Sequence, residues 1–314
     1  MESVKSKILV IVGPTASGKT KYSLEVAKKY NAEIISADSR QVYKHIRIAT
    51  AIADENQREL IKHHFVEEIE LEEEFNAGKF GIIGRERIND IINRGKMPIV
   101  VGGSGLYIKS LIDGLFEIDS VDIQIREKLN HTLKEKGKEY IYNELYKVDP
   151  ETALKLKPYY FRRVIRALEV YYQTGESISK LQKNKPEINF ESLQIGLNVD
   201  RKFLYEKINF RVDEMIKKGL VDEIAELHKR GYNYREFNSL NTVGIKEVFQ
   251  YLEKQFTYEE MIEEIKQNTR RYAKRQMTWF RKDDRIKWIN INEDTSDLDV
   301  LNFIEKEWEK FLYG

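Results

Sequence analysis

Lys7-Ile8-Leu9-Val10-Ile11-Val12 is an almost unbroken apolar run, and Gly13-Pro14-Thr15-Ala16-Ser17-Gly18-Lys19-Thr20 follows it directly. The first segment has the short, β-branched character of a strand buried on both faces. The second satisfies G-x-x-x-x-G-K-[ST], the phosphate-loop pattern. Each part has a physical reason. Gly13 and Gly18 permit backbone angles closed to other residues and leave room for phosphate oxygens. Successive N–H groups converge on an anion at a helix N-terminus. Lys19 adds a full positive charge, and Thr20 offers a hydroxyl to a Mg²⁺ ion. The pattern predicts strand, loop and a helix over residues 19–30, with residues 13–20 holding a di- or triphosphate. The bland alternative is an ordinary glycine-containing turn. A phosphate loop does not say what is done with the phosphates.

Outward from this segment, residues 32–37, 97–101 and 193–199 also read as buried strands, and 287–291 as a last one. Residues 80–93 have helical spacing. Alternating strands and helices imply an α/β fold, a parallel sheet flanked by helices of the P-loop NTPase-like kind. Right-handed crossovers then bring the carboxyl ends of the strands to one edge. From residue 116 to 185 no buried-strand run occurs. That stretch is charged, Tyr-rich and helical in period, with Asp149-Pro150 as punctuation and Gly175 closing a helix that starts near Phe161. The expected organisation is a core of residues 1–115 and 191–314, with an inserted all-helical subdomain at 116–190.

The chain has 314 residues, 53 basic and 52 acidic, and a net charge of +1. Apolar residues make up 41% and aromatic residues 11%, the composition of a folding chain rather than a disordered one. No apolar run approaches the roughly 20 residues that cross a bilayer. The opening Met1-Glu2-Ser3-Val4-Lys5-Ser6-Lys7 lacks the parts of a signal peptide. There are no cysteines, which excludes disulfides, thiolate metal sites and a Cys nucleophile and suits a reducing cytoplasm.

Charge is unevenly clustered. The acidic run from Glu67 to Glu74 reads as a solvated loop. Residues 269–287 hold Arg270, Arg271, Lys274, Arg275, Arg281, Lys282, Arg285 and Lys287 against Asp283 and Asp284. As a helix, the first six of these fall within about a 140° arc at roughly 100° per residue. Ala273, Met277 and Phe280 form an apolar stripe beside them, so one face packs and the other offers charge to phosphates. A solvated basic face without a ligand is the alternative. Trp279, Phe280, Tyr171 and Tyr172 read as packing residues.

After the second strand comes Asp38-Ser39-Arg40-Gln41-Val42-Tyr43-Lys44. A carboxylate at the end of a strand beside the phosphate-loop strand faces the phosphates, a good place for a general base or a metal bridge. A helix N-cap is the competing role for Asp38. The strand at 97–101 ends in Gly102-Gly103-Ser104-Gly105, where a motor ATPase places an acidic metal ligand.

These segments together resemble the tRNA dimethylallyltransferase family. The resemblance takes in GPTASGKT, DSRQVYK, His63-His64, GGSGLYI from Gly102, Asp149-Pro150 and Arg162-Arg163-Val164-Ile165-Arg166-Ala167-Leu168-Glu169-Val170. It continues through Arg211-Val212-Asp213-Glu214-Met215, Asn241-Thr242-Val243-Gly244 and Lys274-Arg275-Gln276-Met277-Thr278-Trp279-Phe280-Arg281, in family order over about residues 8–290. It implies transfer of a dimethylallyl group from dimethylallyl diphosphate to the exocyclic amine of the adenosine just 3′ of the anticodon. The partner is the anticodon stem-loop of tRNA, the cofactor is Mg²⁺, and the state is a monomer with no membrane contact.

The same resemblance implies that residues 13–20 grip the prenyl diphosphate, with Asp38 as base and Lys19 and Arg211 on the charge of the leaving group. A salt bridge from Arg211 to Asp213 or Glu214 is the structural alternative. The tRNA would be met by Asp38, Ser39, Arg40, Gln41, Ser104, Arg126, Arg162, Arg163, Val164, Ile165, Arg166, Lys274 and Arg275, with glycines 102–105 letting the backbone approach the base. His63 and His64 take a structural or tRNA-positioning role in preference to a metal. The chain departs from the family pattern at Arg47-Ile48-Ala49-Thr50-Ala51-Ile52-Ala53, where Ala49 replaces a glycine and Ala53 a proline. The rival functions are an adenylate dimethylallyltransferase, a small-molecule P-loop kinase and an RNA-binding NTPase switch.

Overall fold

The structure is a computed structural model that describes residues 5–116, 122–184 and 186–314. The sequence readings at residues 1–4, 117–121 and 185 lie outside the described residues. Among the described residues there are six strands: β1 (Ser6–Val12), β2 (Ala32–Ser36), β3 (His63–His64), β4 (Met97–Gly102), β5 (Phe190–Val199) and β6 (Lys287–Ile291). They form one sheet in the order β3-β2-β4-β1-β5-β6, every pair parallel. β1 is central, with Leu9 level with Ile99 on one side and Leu193 on the other. Ile8 to Val12 are wholly buried, as an apolar run covered on both faces must be.

The helices of eight residues or more are α1 (Lys19–Lys29), α2 (Ala77–Asn93), α3 (Gly105–Asp113), α4 (Ile123–Val148), α5 (Phe161–Thr174), α6 (Arg201–Lys217), α7 (Leu220–Lys229), α8 (Ile245–Leu252), α9 (Tyr258–Phe280) and α10 (Asp297–Tyr313). The strand not foreseen is β3. Two histidines pair with Ile34 and Ile35, too short and too polar to leave a periodic signal.

The chain divides into two compact units, Met1–Ile112 with Asn189–Gly314, and Asp113–Ile188. The first holds the sheet. The second has no strand among the described residues, and α4 and α5 bury Leu129, Ile141, Leu145, Val164 and Leu168 between them. Asp149 ends α4 and caps the next short helix, accepting the Thr152 N–H at 3.0 Å, while its other oxygen accepts the Ser179 N–H at 3.0 Å. Gly175, at φ 73°, closes α5 in the left-handed conformation that few other residues adopt.

In the first unit, parallel pairing places the carboxyl ends of β1, β2 and β4 side by side. The loops at residues 13–18, 37–46 and 103–104 therefore meet at one edge of the sheet, where ligands of open α/β folds bind.

Candidate active site

The loop after β1 turns into α1 through Ala16 (φ 62°) and Gly18 (φ 91°). Ala16 bears the strain that left-handed backbone imposes on a side chain, a mark of a functional turn. The N–H groups of Gly18, Lys19 and Thr20 have no protein partner among the described residues. The hydroxyl of Ser17 is buried without one as well. Lys19 folds back over the loop, its Nζ donating to the carbonyls of Gly13 at 2.9 Å and Pro14 at 2.7 Å. Burial, and then the charge of Arg211, push its pKa down to about 7 against the opposing pull of Asp38.

Arg211, on α6, has no hydrogen bond or ion pair among the described residues. The carboxylates proposed as its structural partners are occupied elsewhere: Asp213 meets Lys266 at 2.8 Å and Glu214 meets Lys217 at 2.9 Å. Burial lowers the pKa of the guanidinium, and Asp38 works in the other direction. Two enclosed cations thus share one acidic neighbour, an arrangement suited to binding an anion.

A cavity of about 390 Å³ lies over the loop, lined by Thr15 to Thr20, Lys207, Arg211, Asp38 and an apolar wall that includes Ile34, Ala51, Ala53, Val66 and Val101. A second cavity of about 300 Å³ adjoins it and is lined by Arg40, Asn241, Thr242 and Arg275 among others. Thr15, Asp38, Arg211 and Tyr272 line both. Asp38 does not cap a helix. It follows β2, and its Oδ1 accepts the Arg40 N–H at 2.9 Å in a turn, with no other hydrogen bond to its carboxylate among the described residues.

Ser104 holds this turn in place. Its N–H donates to the carbonyl of Ala37 at 3.2 Å, and its Oγ accepts the Ser39 N–H at 3.1 Å. Gln41 is similarly internal, accepting from Ser36 Oγ at 2.7 Å and donating to the carbonyl of Thr50 at 3.3 Å. Arg40 faces the second cavity and donates to the carbonyl of Asn241 at 3.4 Å.

Three residues that sequence reasoning did not single out complete the site. Gln276, buried on α9, accepts the Thr15 N–H at 2.9 Å and donates to the carbonyl of Gly103 at 3.0 Å. Tyr272, one turn earlier, lies at the junction of the cavities, where burial and then Asp38 push its pKa up to about 12. Glu223, on α7, accepts the N–H groups of Ile48 at 2.8 Å and Ala49 at 3.0 Å. It therefore holds the segment that departs from the family pattern, whose Ala51 and Ala53 wall the first cavity and Ala49 the second.

Other expectations need correction. A Cβ on Gly103 would collide with Gln276, and one on Gly105 with Trp279. The space these glycines leave is filled by α9 rather than kept for a base. Trp279 is 41% exposed despite this contact, whereas Phe280 is core. Tyr172 is also exposed. The acidic run is solvated only in part: Glu72 to Glu74 are exposed, whereas Glu67 pairs with Arg58 at 2.8 Å and Glu68 with Arg87 at 2.6 Å. His64 is buried against Glu33 at 2.7 Å, and His63 Nδ1 meets the carbonyl of Ile61 at 2.7 Å. No group of metal-ligating side chains occurs among the described residues.

The basic residues divide sharply. Lys274 and Arg275 are exposed on α9, as the helical arc requires, and Arg275 lines the second cavity. In the helical unit Arg162 and Arg163 are exposed, but Val164 and Ile165 are buried in its core. Their side chains offer no surface to an RNA. Arg126 and Arg166 are committed to the buried Glu169, Arg126 at 2.6 Å and Arg166 at 3.3 Å. Among the described residues no helix is long and apolar enough to cross a membrane.

Comparison with known proteins agrees with this geometry. The family model described as IPP transferase matches residues 41–283. A tRNA dimethylallyltransferase of Acetivibrio thermocellus is 46% identical over 299 residues, 94% of this chain and 95% of that protein. One of Christiangramia forsetii is 43% identical over 304 residues, 96% of this chain and 98% of that protein. The crystal structure of a tRNA isopentenylpyrophosphate transferase from Bacillus halodurans superposes with a TM-score of 0.72 at 37% identity, covering 98% of each chain. That of a eukaryotic dimethylallyltransferase acting on tRNA gives 0.82 at 31% identity, over 97% of this chain and 80% of that one. The chain belongs to the tRNA dimethylallyltransferase family.

Proposed function

We propose that the chain transfers a dimethylallyl group from dimethylallyl diphosphate to the exocyclic amine of the adenosine just 3′ of the anticodon in tRNA, releasing diphosphate. The observation that carries this reading is the pair of cavities meeting at Asp38 and Arg211. The first combines a cationic floor with an apolar wall sized for a short hydrocarbon tail. The second opens among Arg40 and Arg275, which suits a nucleotide. A donor in one and an acceptor in the other meet at the shared residues.

The unpaired N–H groups of residues 18–20, Lys19 and Arg211 would take up the negative charge that grows on the diphosphate as the allylic C–O bond breaks. The electron pair leaves with the diphosphate, and the adenine nitrogen forms the new N–C bond. Asp38, with carboxylate oxygen to spare at the junction, would receive the proton the amine loses. Thr20, exposed in the first cavity, and Asp38 are the hard oxygen donors that fit Mg²⁺, an ion that keeps several waters and substrate phosphates as ligands. Bound there, the metal would supply further charge neutralisation on the departing diphosphate.

The target base must leave the anticodon stack to enter the second cavity. Lys274 and Arg275 on α9, with Arg162 and Arg163 in the helical unit, are the cations available for the RNA backbone. That reading makes the chain a cytoplasmic monomer, with which the lack of cysteine agrees. The test incubates the protein with labelled dimethylallyl diphosphate and unmodified tRNA, AMP or ATP. Label entering tRNA, and lost when the target adenosine is replaced by guanosine, is the expected result. Label on AMP, or phosphoryl transfer from ATP to an acceptor, would overturn it.

A further inference from the structure

We propose that Tyr159 and Tyr160, at the start of α5, form a stacking platform for an unpaired base of the RNA substrate, with Lys157, Arg162 and Arg163 holding the neighbouring phosphates. The proposal rests on the reading of tRNA as the substrate and adds to it a mode of recognition and the residues that supply it.

The two rings are presented rather than packed. Tyr159 is 56% exposed and Tyr160 43%, and their centroids lie 4.5 Å apart at 50°. Their backbone is fixed. Lys157-Pro158-Tyr159-Tyr160 is a turn in which the Tyr160 N–H donates to the carbonyl of Lys157 at 2.8 Å. Proline at the second position sets its φ in advance. A ring held this way loses little entropy when it binds, and any base offers it a π-face.

Helix stability does not explain the pair. Tyr160 is the N-cap of α5 and makes no side-chain cap hydrogen bond. The other helices of the unit begin at Asp122, Asp149 and Ser177, whose side chains all accept from the first turn. A tyrosine in that position forgoes the capping hydrogen bond that an Asp or Ser would supply. Such a local departure is expected where function outweighs stability.

The surrounding charge selects an anionic partner. Lys157 Nζ lies 5.9 Å from the Tyr159 ring centre, and the Arg163 guanidinium 5.4 Å from that of Tyr160. Lys157, Arg162 and Arg163 have no carboxylate partner among the described residues, whereas Arg126 and Arg166 pair with Glu169. Cations interleaved with open aromatic faces are the features that bind single-stranded RNA, with phosphates on the charges and bases on the rings.

The test titrates the full chain with an anticodon stem-loop RNA, without prenyl donor, over a range of salt. Replacing both tyrosines (Y159A/Y160A) should weaken binding by about tenfold and leave the salt slope unchanged. Y159F/Y160F should bind like the wild type, because stacking needs the ring and not the hydroxyl. R162A/R163A should instead flatten the slope of log K against log salt by about 1.4. A 2-aminopurine in the loop should be quenched by the wild type and not by Y159A/Y160A. Unchanged affinity in Y159A/Y160A with its thermal melt intact, or a loss that the phenylalanines fail to prevent, would overturn the platform. A wild-type chain that binds the stem-loop but transfers no prenyl group would contradict the proposed function and leave the platform standing.

Discussion

Thr15 in the phosphate loop and Gln276 in α9 are 261 residues apart in the chain and joined by a 2.9 Å hydrogen bond. The same amide reaches the carbonyl of Gly103. One buried side chain therefore sets the distance between the loop that follows β1 and the loop that follows β4. Replacing Gln276 by Ala would leave a part-buried N–H and a buried carbonyl unsatisfied. We expect a loss of stability of about 1–3 kcal/mol. Urea midpoints measure it, and kcat/KM for the prenyl donor should fall with it. Gln276→Glu keeps the acceptor for Thr15, loses the donor to Gly103, and should be intermediate.

Asp38 lines both cavities and spends one oxygen on the Arg40 amide. Asp38→Asn retains that acceptor and removes the base. Turnover should drop by about 10²–10⁴, while the Kd for tRNA stays within about threefold. Single-turnover rates and filter binding distinguish the two. Equal losses in both would make Asp38 a binding residue only.

Lys19 titrates at about 7 in the folded chain, against 10.5 when unfolded. Between those values the unfolded chain holds a proton that the folded one lacks. Stability from this group therefore rises with pH from about 7 to 10.5, and below 7 the full burden of a buried charge is felt. A diphosphate bound there would restore the charged form. Binding at pH 8 should take up a proton, visible in calorimetry as a dependence on the ionisation enthalpy of the buffer. Lys19→Met should abolish that uptake and donor binding together, while raising the stability of the ligand-free protein at pH 7.

How far these features were legible depends on whether their cause is local. β1 and β4 were visible because each is an apolar run several residues long, and β2, β5 and β6 because apolar residues recur through a segment of strand length. The phosphate loop was visible because the need for an anion cradle is written in eight consecutive residues. Gln276, Tyr272 and Glu223 were not, because each acquires its role from partners far along the chain, such as Ile48 for Glu223. Paired and unpaired arginines are also indistinguishable in a string of letters. Arg126 and Arg162 looked alike until Glu169 took only the first.

The α9 face makes a prediction of its own. Lys274 and Arg275 are exposed on a helix whose Ala273 and Phe280 are buried. Changing both to Ala should weaken tRNA binding and reduce the salt slope by about 1.4–1.8. The Kd for dimethylallyl diphosphate should not change. An unaltered slope would remove this helix from the RNA interface.

Prenyl transfer requires that the cradle over Gly18 to Thr20 hold a diphosphate attached to a prenyl chain. The most direct measurement is a crystal structure with the sulfur-bridged, non-reacting analogue of dimethylallyl diphosphate. Diphosphate oxygens should lie on the N–H groups of residues 18–20, Lys19 and Arg211, with the five-carbon tail against Ala51, Ala53, Val66 and Val101. A cavity that rejects this analogue and instead seats ATP, its terminal phosphate directed at Asp38, would contradict it.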